Sequence, residues 1–178
     1  MRRRAVFLDR DGVINRAYVS SGIPHPPASL AALEILEGVP EALERLKAAG
    51  FQLLVVSNQP DVARGITPRA VVEEINHHLQ TQLPLDGILT CFHDDADVCE
   101  CRKPKPGLLL AAASANDLNL SQSYMIGDRW SDMEAGRRAG CFACFVDCGY
   151  LERRPRLFDL RVSSLAEATT AILRREGI

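Results

Sequence analysis

The sequence predicts an α/β fold, a central parallel sheet flanked by helices on both faces. Two observations carry this. Short apolar stretches rich in β-branched residues alternate with longer stretches whose apolar residues recur at helical spacing. Polar residues then collect just after the apolar stretches, where the parallel strands of open α/β sheets end and bind ligands. At 178 residues and 47% apolar content, the chain has the material for one good core. It is expected to form a single domain over residues 1–178.

Along the chain, strands are expected at Ala5 to Leu8, Gln52 to Val56, Gly87 to Cys91, Tyr124 to Ile126 and Phe142 to Val146. Each reads as a buried central strand because it lacks a polar face. Pro40 to Ala49 carries apolar residues at helical spacing and stops at Gly50, where glycine forms a left-handed cap readily. Pro68 to Gln80, Pro106 to Ala115 and Asp132 to Ala139 read as helices, the first two opening on proline as first-turn positions prefer. A closing helix runs from Ser164 to Glu176, with Ser164 as N-cap and Glu167 three residues on. No stretch is long enough for a large cap domain, and there is no internal repeat or linker.

Charge narrows the partners. With 21 basic against 23 acidic residues, no long-range positive field draws the chain to nucleic acid or anionic lipid, which favours a small-molecule partner. The basic start at Arg2 to Arg4 is followed by an apolar run too short for an export signal. No apolar run approaches the roughly 18 to 20 residues that cross a bilayer. A cytoplasmic monomer with no membrane partner is expected.

The chemistry gathers at the strand ends. Asp9-Arg10-Asp11-Gly12 directly follows the first strand, so two carboxylates leave one sheet edge together. One can attack phosphorus while the other moves a proton, which splits hydrolysis into phosphoryl transfer and dephosphorylation. The same tetrapeptide also suits an ordinary strand-ending turn. Like charges this close need a counter-cation, and magnesium, which prefers carboxylate and phosphate oxygens, answers that need. Asp128, just past the strand ending at Ile126, is the natural further ligand; Asp132 either orients the site or interacts with a helix N-terminus. Ser57 and Asn58, after Leu53 to Val56, can donate to phosphate oxygens or cap a turn. Arg102 and Lys103 bring positive charge that would neutralise a phosphoryl group, or form solvated surface.

Of six cysteines, Cys91, Cys99 and Cys101 crowd around His93. Cys91-Phe92-His93 and Cys99-Glu100-Cys101 offer four ligands in two pairs, which suits tetrahedral zinc with no open position, a structural site. Its expected task is to fix the loop that carries Arg102 and Lys103. Of Cys141, Cys144 and Cys148, two read as small core residues.

Taken together, these elements resemble the haloacid dehalogenase superfamily of phosphatases, whose fold is Rossmann-like. Phe7 to Asn15 is similar to its first motif, Ser57-Asn58-Gln59 to its second, Lys103 to its third and Gly127-Asp128 to its fourth. The resemblance implies Asp9 as nucleophile, Asp11 as acid/base, Ser57 and Lys103 on phosphate, and magnesium on Asp9, the Asp11 carbonyl and Asp128. The zinc loop before Arg102-Lys103-Pro104 resembles a narrower subgroup, the D-glycero-D-manno-heptose 1,7-bisphosphate 7-phosphatases and histidinol-phosphate phosphatases. Val13-Ile14-Asn15 and Ala63-Arg64-Gly65 are more similar to the heptose enzymes, whereas Pro60-Asp61, Arg129 and the short Asp94 to Val98 loop depart from their pattern. The subgroup implies a phosphorylated sugar as substrate, with Arg102 and Arg64 at its far end. Histidinol phosphate is the enzymatic alternative, its amine and imidazole suiting Asp94, Asp95 and Asp97. A non-catalytic, zinc-stabilised binding protein is the alternative of another class.

Overall fold

The structure, a computed structural model, describes residues 3–178. Six strands form one parallel sheet: β1 (Ala5–Leu8), β4 (Gln52–Asn58), β5 (Gly87–Cys91), β6 (Tyr124–Gly127), β7 (Phe142–Val146) and β8 (Leu160–Val162). Their spatial order is β5-β4-β1-β6-β7-β8. A two-stranded antiparallel hairpin, β2 (Tyr18–Ser20) and β3 (Ile23–His25), leaves the loop after β1. Among the described residues there are five α-helices: α1 (Val39–Ala48), α2 (Arg69–Gln82), α3 (Gly107–Asn116), α4 (Trp130–Ala139) and α5 (Leu165–Arg175).

The pleat sorts the core into two layers, because successive strand residues point to opposite faces. Val6, Leu8, Leu53, Val55 and Ile126 face one way, against Leu43 and Leu46 of α1, Ile75 and Leu79 of α2 and Ile172 of α5. Ala5, Phe7, Leu54, Val56 and Met125 face the other, against Leu109 and Ala112 of α3 and Ala135 of α4. Strands buried on both faces explain the continuous apolar runs in the sequence. Phe7 is fully buried, and its truncation to alanine would cost about 3–5 kcal/mol.

The helix ends follow the expected chemistry. Ser164 Oγ accepts from the Glu167 N–H at 3.2 Å, and Gly140 closes α4 in the left-handed region with φ 87°. One sequence expectation is corrected, and two features are added that the sequence reading does not contain. β5 is an edge strand rather than a central one, and of its residues only Cys91 is fully buried. β8 extends the far edge, too short at three residues for its period to be legible. The hairpin β2–β3 is largely exposed, so it shows no apolar pattern; its Ser21-Gly22 turn, both residues at positive φ, is the signal that marks it. Among the described residues, no helix is long and apolar enough to cross a membrane.

From β1 the chain reaches β4 and β5 on one side, then β6, β7 and β8 on the other. The order therefore reverses at β1, and the crevice outside its carboxyl end is where such sheets take ligands.

Candidate active site

Asp9 is the first residue beyond β1, and its N–H donates to Ile126 O at 2.9 Å, so the ladder to β6 fixes its backbone. The chain then turns back at once, with Ile14 N–H donating to Arg10 O at 2.9 Å and Gly12 N–H to Asn15 O at 2.7 Å. Gly12 sits at φ 88°, and a Cβ there would lie 1.9 Å from Asp128 Oδ2. Only glycine meets both conditions, and its absent side chain lets the β1 loop close on the β6 loop.

Lys103 reaches this floor from the loop after β5. Its ammonium, 3% exposed as a residue, donates to Asp9 Oδ1 at 2.8 Å, Asp132 Oδ1 at 2.6 Å and Val56 O at 2.7 Å. An ammonium has three protons, and each has an acceptor. Burial alone would lower the Lys103 pKa, but the charges of Asp132 and Asp9 outweigh it and raise it. Asn58 clamps the Lys103 backbone from both ends, its Oδ1 accepting from the Lys103 N–H at 3.1 Å and its Nδ2 donating to the Lys103 carbonyl at 3.0 Å. Asn58 lines the cleft, yet its amide is engaged in holding Lys103.

Asp132 engages both Lys103 and the start of α4. One oxygen pairs with Lys103, and the other accepts from the Arg129 N–H at 2.9 Å in the capping box of α4.

Oxygens of Asp9, Asp128 and Asp132 converge within 4.8 Å of one another. Neither buried oxygen of Asp128 has a partner in hydrogen-bond geometry, although the Tyr150 hydroxyl is near enough to oppose the rise in its pKa. Burial drives that pKa well above the carboxylate range, reinforced by the charges of Asp9 and Asp132. Asp9 is raised too, by burial first and by Asp132 next, with Lys103 opposing. Three carboxylates against one ammonium leave the floor net negative, and orphaned carboxylate oxygens are what a hard divalent cation binds; the donor set fits magnesium.

Asp11 stands beside this cluster. Its carboxylate accepts from Asn15 Nδ2 at 2.9 Å, from Gln59 Nε2 at 2.7 Å and from the Arg10 guanidinium at 3.2 Å. Gln59 Nε2 also donates to Ser57 Oγ at 2.9 Å, linking the ends of β1 and β4. Ser57 is 1% exposed, so its hydroxyl sits at the back of the floor rather than on an open surface.

Above the floor opens a cleft of about 230 Å³. Asp9, Asp11, Lys103 and Asp128 line its base, Arg64 and Arg102, joined through Asp95, form one part of the rim, and His25 of the hairpin also borders it. Both arginines meet at Asp95: Arg102 Nε donates to Asp95 Oδ1 at 3.0 Å and Arg64 Nη2 to Asp95 Oδ2 at 3.4 Å. Arg64 also faces Asp94 at 3.9 Å, while Asp97 Oδ2 accepts from the Asp94 N–H at 2.9 Å.

Donor atoms of Cys91, His93, Cys99 and Cys101 lie within 4.8 Å of one another, with His93 Nδ1 3.2 Å from Cys101 Sγ. Three sulfurs and one imidazole with no carboxylate form a set suited to zinc rather than magnesium. Cys141 and Cys144 are buried and Cys148 exposed.

Sequence reasoning missed Gln59 and Arg10 as partners of Asp11, and the hairpin as a wall of the cleft. Gln59 lies two residues past Ser57, at a strand end, and that position was its signal. Nothing local marks a buried arginine.

Residues 25–140 match the haloacid dehalogenase-like hydrolase family; Asp9 and Asp11 precede the matched segment. The chain is 40% identical over 144 residues to a D-glycero-beta-D-manno-heptose-1,7-bisphosphate 7-phosphatase of Helicobacter pylori, covering 76% of this chain and 79% of that one. It is 39% identical over 143 residues to the Escherichia coli K12 enzyme of the same name, covering 74% and 72%. Its fold superimposes with a TM-score of 0.78 on a D,D-heptose 1,7-bisphosphate phosphatase from B. bronchiseptica, crystallised with magnesium and phosphate, at 28% identity and covering 97% and 99% of the two chains.

Proposed function

The chain belongs to the haloacid dehalogenase-like hydrolase family, and on that footing we propose that it is a magnesium-dependent phosphatase that removes the C7 phosphate of D-glycero-D-manno-heptose 1,7-bisphosphate through an aspartyl-phosphate on Asp9. We read residues 1–178 as one cytoplasmic, monomeric catalytic unit that serves the making of nucleotide-activated heptose.

Asp9 Oδ attacks phosphorus in line with the leaving sugar oxygen. As the bond to that oxygen breaks, Asp11 gives it a proton. Asp11 then takes a proton from water, the water oxygen attacks phosphorus, and the bond to Asp9 breaks to release inorganic phosphate. Magnesium held by Asp9, Asp128 and the Asp11 carbonyl would neutralise the phosphoryl oxygens. Lys103 and Ser57 serve the same oxygens from the protein side, and the Lys103 charge works against the rise that burial gives the Asp9 pKa.

The observation that carries the substrate reading is the pair Arg64 and Arg102 on one rim of a cleft whose base holds Asp9 and Lys103. A bisphosphate presents a second anion to such a rim. Histidinol phosphate presents an amine and an imidazole instead; the ion pairs of Asp95 with Arg64 and Arg102 occupy both signs of charge, and the relatives at 39–40% identity that carry the heptose name support the bisphosphate. The four-ligand cluster is read as a structural zinc site that fixes Arg102 and Lys103.

The test is phosphate release, with magnesium, from the heptose bisphosphate and from histidinol phosphate, compared by kcat/KM with Asp9→Asn as control. Strong preference for the heptose is expected. Preference for histidinol phosphate would move the substrate and leave the mechanism standing, whereas no Asp9-dependent release from either would sink the reading.

A further inference from the structure

We propose that Arg10 is a positioning residue for proton transfer by Asp11, and that Asn76 on α2 and Thr90 on β5 hold it in place. Arg10 has the largest fully buried side chain of the described residues, 0% exposed, and it does not line the cleft. It therefore acts through another group rather than on substrate.

Its guanidinium presents donors on two edges. Along one, Nε and Nη2 each donate to Asp11 Oδ1 at 3.2 Å, with Nη2 also 3.2 Å from Oδ2. From the other, Nη1 donates to Asn76 Oδ1 at 2.9 Å. Asn76 Nδ2 in turn donates to Thr90 Oγ1 at 3.0 Å, which ties the amide to the edge strand. A buried guanidinium is strongly destabilising unless paired and hydrogen-bonded. Among the described residues the only carboxylate paired with it is Asp11, because its other partner is a neutral amide. The planar fork fixes direction as well as distance, which a lysine ammonium would not.

Asp11 must meet the leaving oxygen and later a water in a hydrogen-bond geometry, and about 1 Å of misplacement costs up to ~10²-fold. The chain Thr90–Asn76–Arg10 anchors that carboxylate to the scaffold on the side away from substrate. This inference rests on the phosphatase reading but not on the heptose as substrate.

The test compares phenyl phosphate with p-nitrophenyl phosphate. The nitrophenolate leaves without a proton, whereas the phenolate needs one from Asp11, and kcat/KM includes only the steps through departure of the leaving group. Arg10→Lys and Asn76→Leu are expected to lower kcat/KM for phenyl phosphate about tenfold while p-nitrophenyl phosphate stays within about twofold. Thr90→Val, close to threonine in shape but without the hydroxyl, is expected to shift the ratio the same way by about threefold, and Thr90→Ser, which keeps the hydroxyl, to hold it at the wild-type value. Equal losses on both substrates, as a merely structural role would give, or an unchanged ratio in Thr90→Val and Arg10→Lys, would overturn the proposal. Wild-type turnover of the heptose bisphosphate is measured alongside. Its failure with aryl phosphates still hydrolysed would defeat the substrate reading and leave the ratio to decide this one.

Discussion

Lys103 Nζ lies 2.8 Å from Asp9 Oδ1, across 94 positions of sequence, and the contact joins the end of β1 to the loop that follows β5. It places a fixed cation beside Asp9, the proposed nucleophile, with both side chains largely withdrawn from solvent. Replacing Lys103 by methionine leaves Asp9 and Asp132 buried without their partner. A loss of about 3–5 kcal/mol in unfolding free energy is expected, with phosphatase activity lost as well. Denaturant unfolding and kcat/KM together check this; a stable, active variant would contradict the role given to the pair.

Asp128 carries two buried oxygens without partners, and the charges of Asp9 and Asp132 act against its own. A cation that binds the folded protein alone stabilises it by mass action. Millimolar magnesium is therefore expected to raise the Tm of the wild type. Asp128→Asn should abolish that rise and lower kcat/KM by at least about 10²-fold, since phosphoryl transfer depends on charge neutralisation. Thermal scans with and without magnesium decide it: an undiminished rise in the variant would remove Asp128 from the metal site.

The thiol cluster ends at Cys101, directly before Arg102 and Lys103. Metal analysis is expected to find zinc in equimolar amount with the chain. Cys99→Ser or Cys101→Ser should lose it and lower kcat more than roughly tenfold by displacing Lys103. An active preparation free of zinc would end this idea.

Asp147 supplies a pH dependence outside the two candidate metal sites. Burial works to raise its pKa, but the Gly149 N–H and the guanidinium groups of Arg154 and Arg161 prevail and hold it below its ordinary 3.8. A depressed folded-state pKa contributes stability that is fully present above the unfolded value and is lost as pH falls through the folded one. Wild type should therefore exceed Asp147→Asn in stability by up to about 1 kcal/mol near neutrality, the gap closing below about pH 4. Urea unfolding across that range measures it, and a gap that widens in acid would reverse the assignment.

The strands were legible where burial on both faces made the apolar run continuous, as at Ala5–Leu8 and Phe142–Val146. β5 was located but misread as central, because an edge and a centre differ in which neighbours exist and not in local pattern. The hairpin and β8 lacked a face to bury and so lacked a period. Asp9, Asp11 and Asp128 were legible because strand ends place short motifs on one edge of a parallel sheet. The engagement of Asn58 with the Lys103 backbone was not, since a strand-end amide serves a ligand or a loop equally well.

By itself the sequence determined the α/β architecture, the residues that meet at the carboxyl edge, and the two donor sets, one of oxygens and one of sulfurs with an imidazole. All of these follow from periodicity and from short spacings that survive in any fold of that class. Only the tertiary structure decided that Asp132 shares Lys103 with Asp9, that Asp95 sits between Arg64 and Arg102, and that Arg10 is buried against Asn76, 66 positions away. Those contacts form where separate loops and helices close over one sheet edge, and which side chains meet there depends on packing that no local pattern encodes.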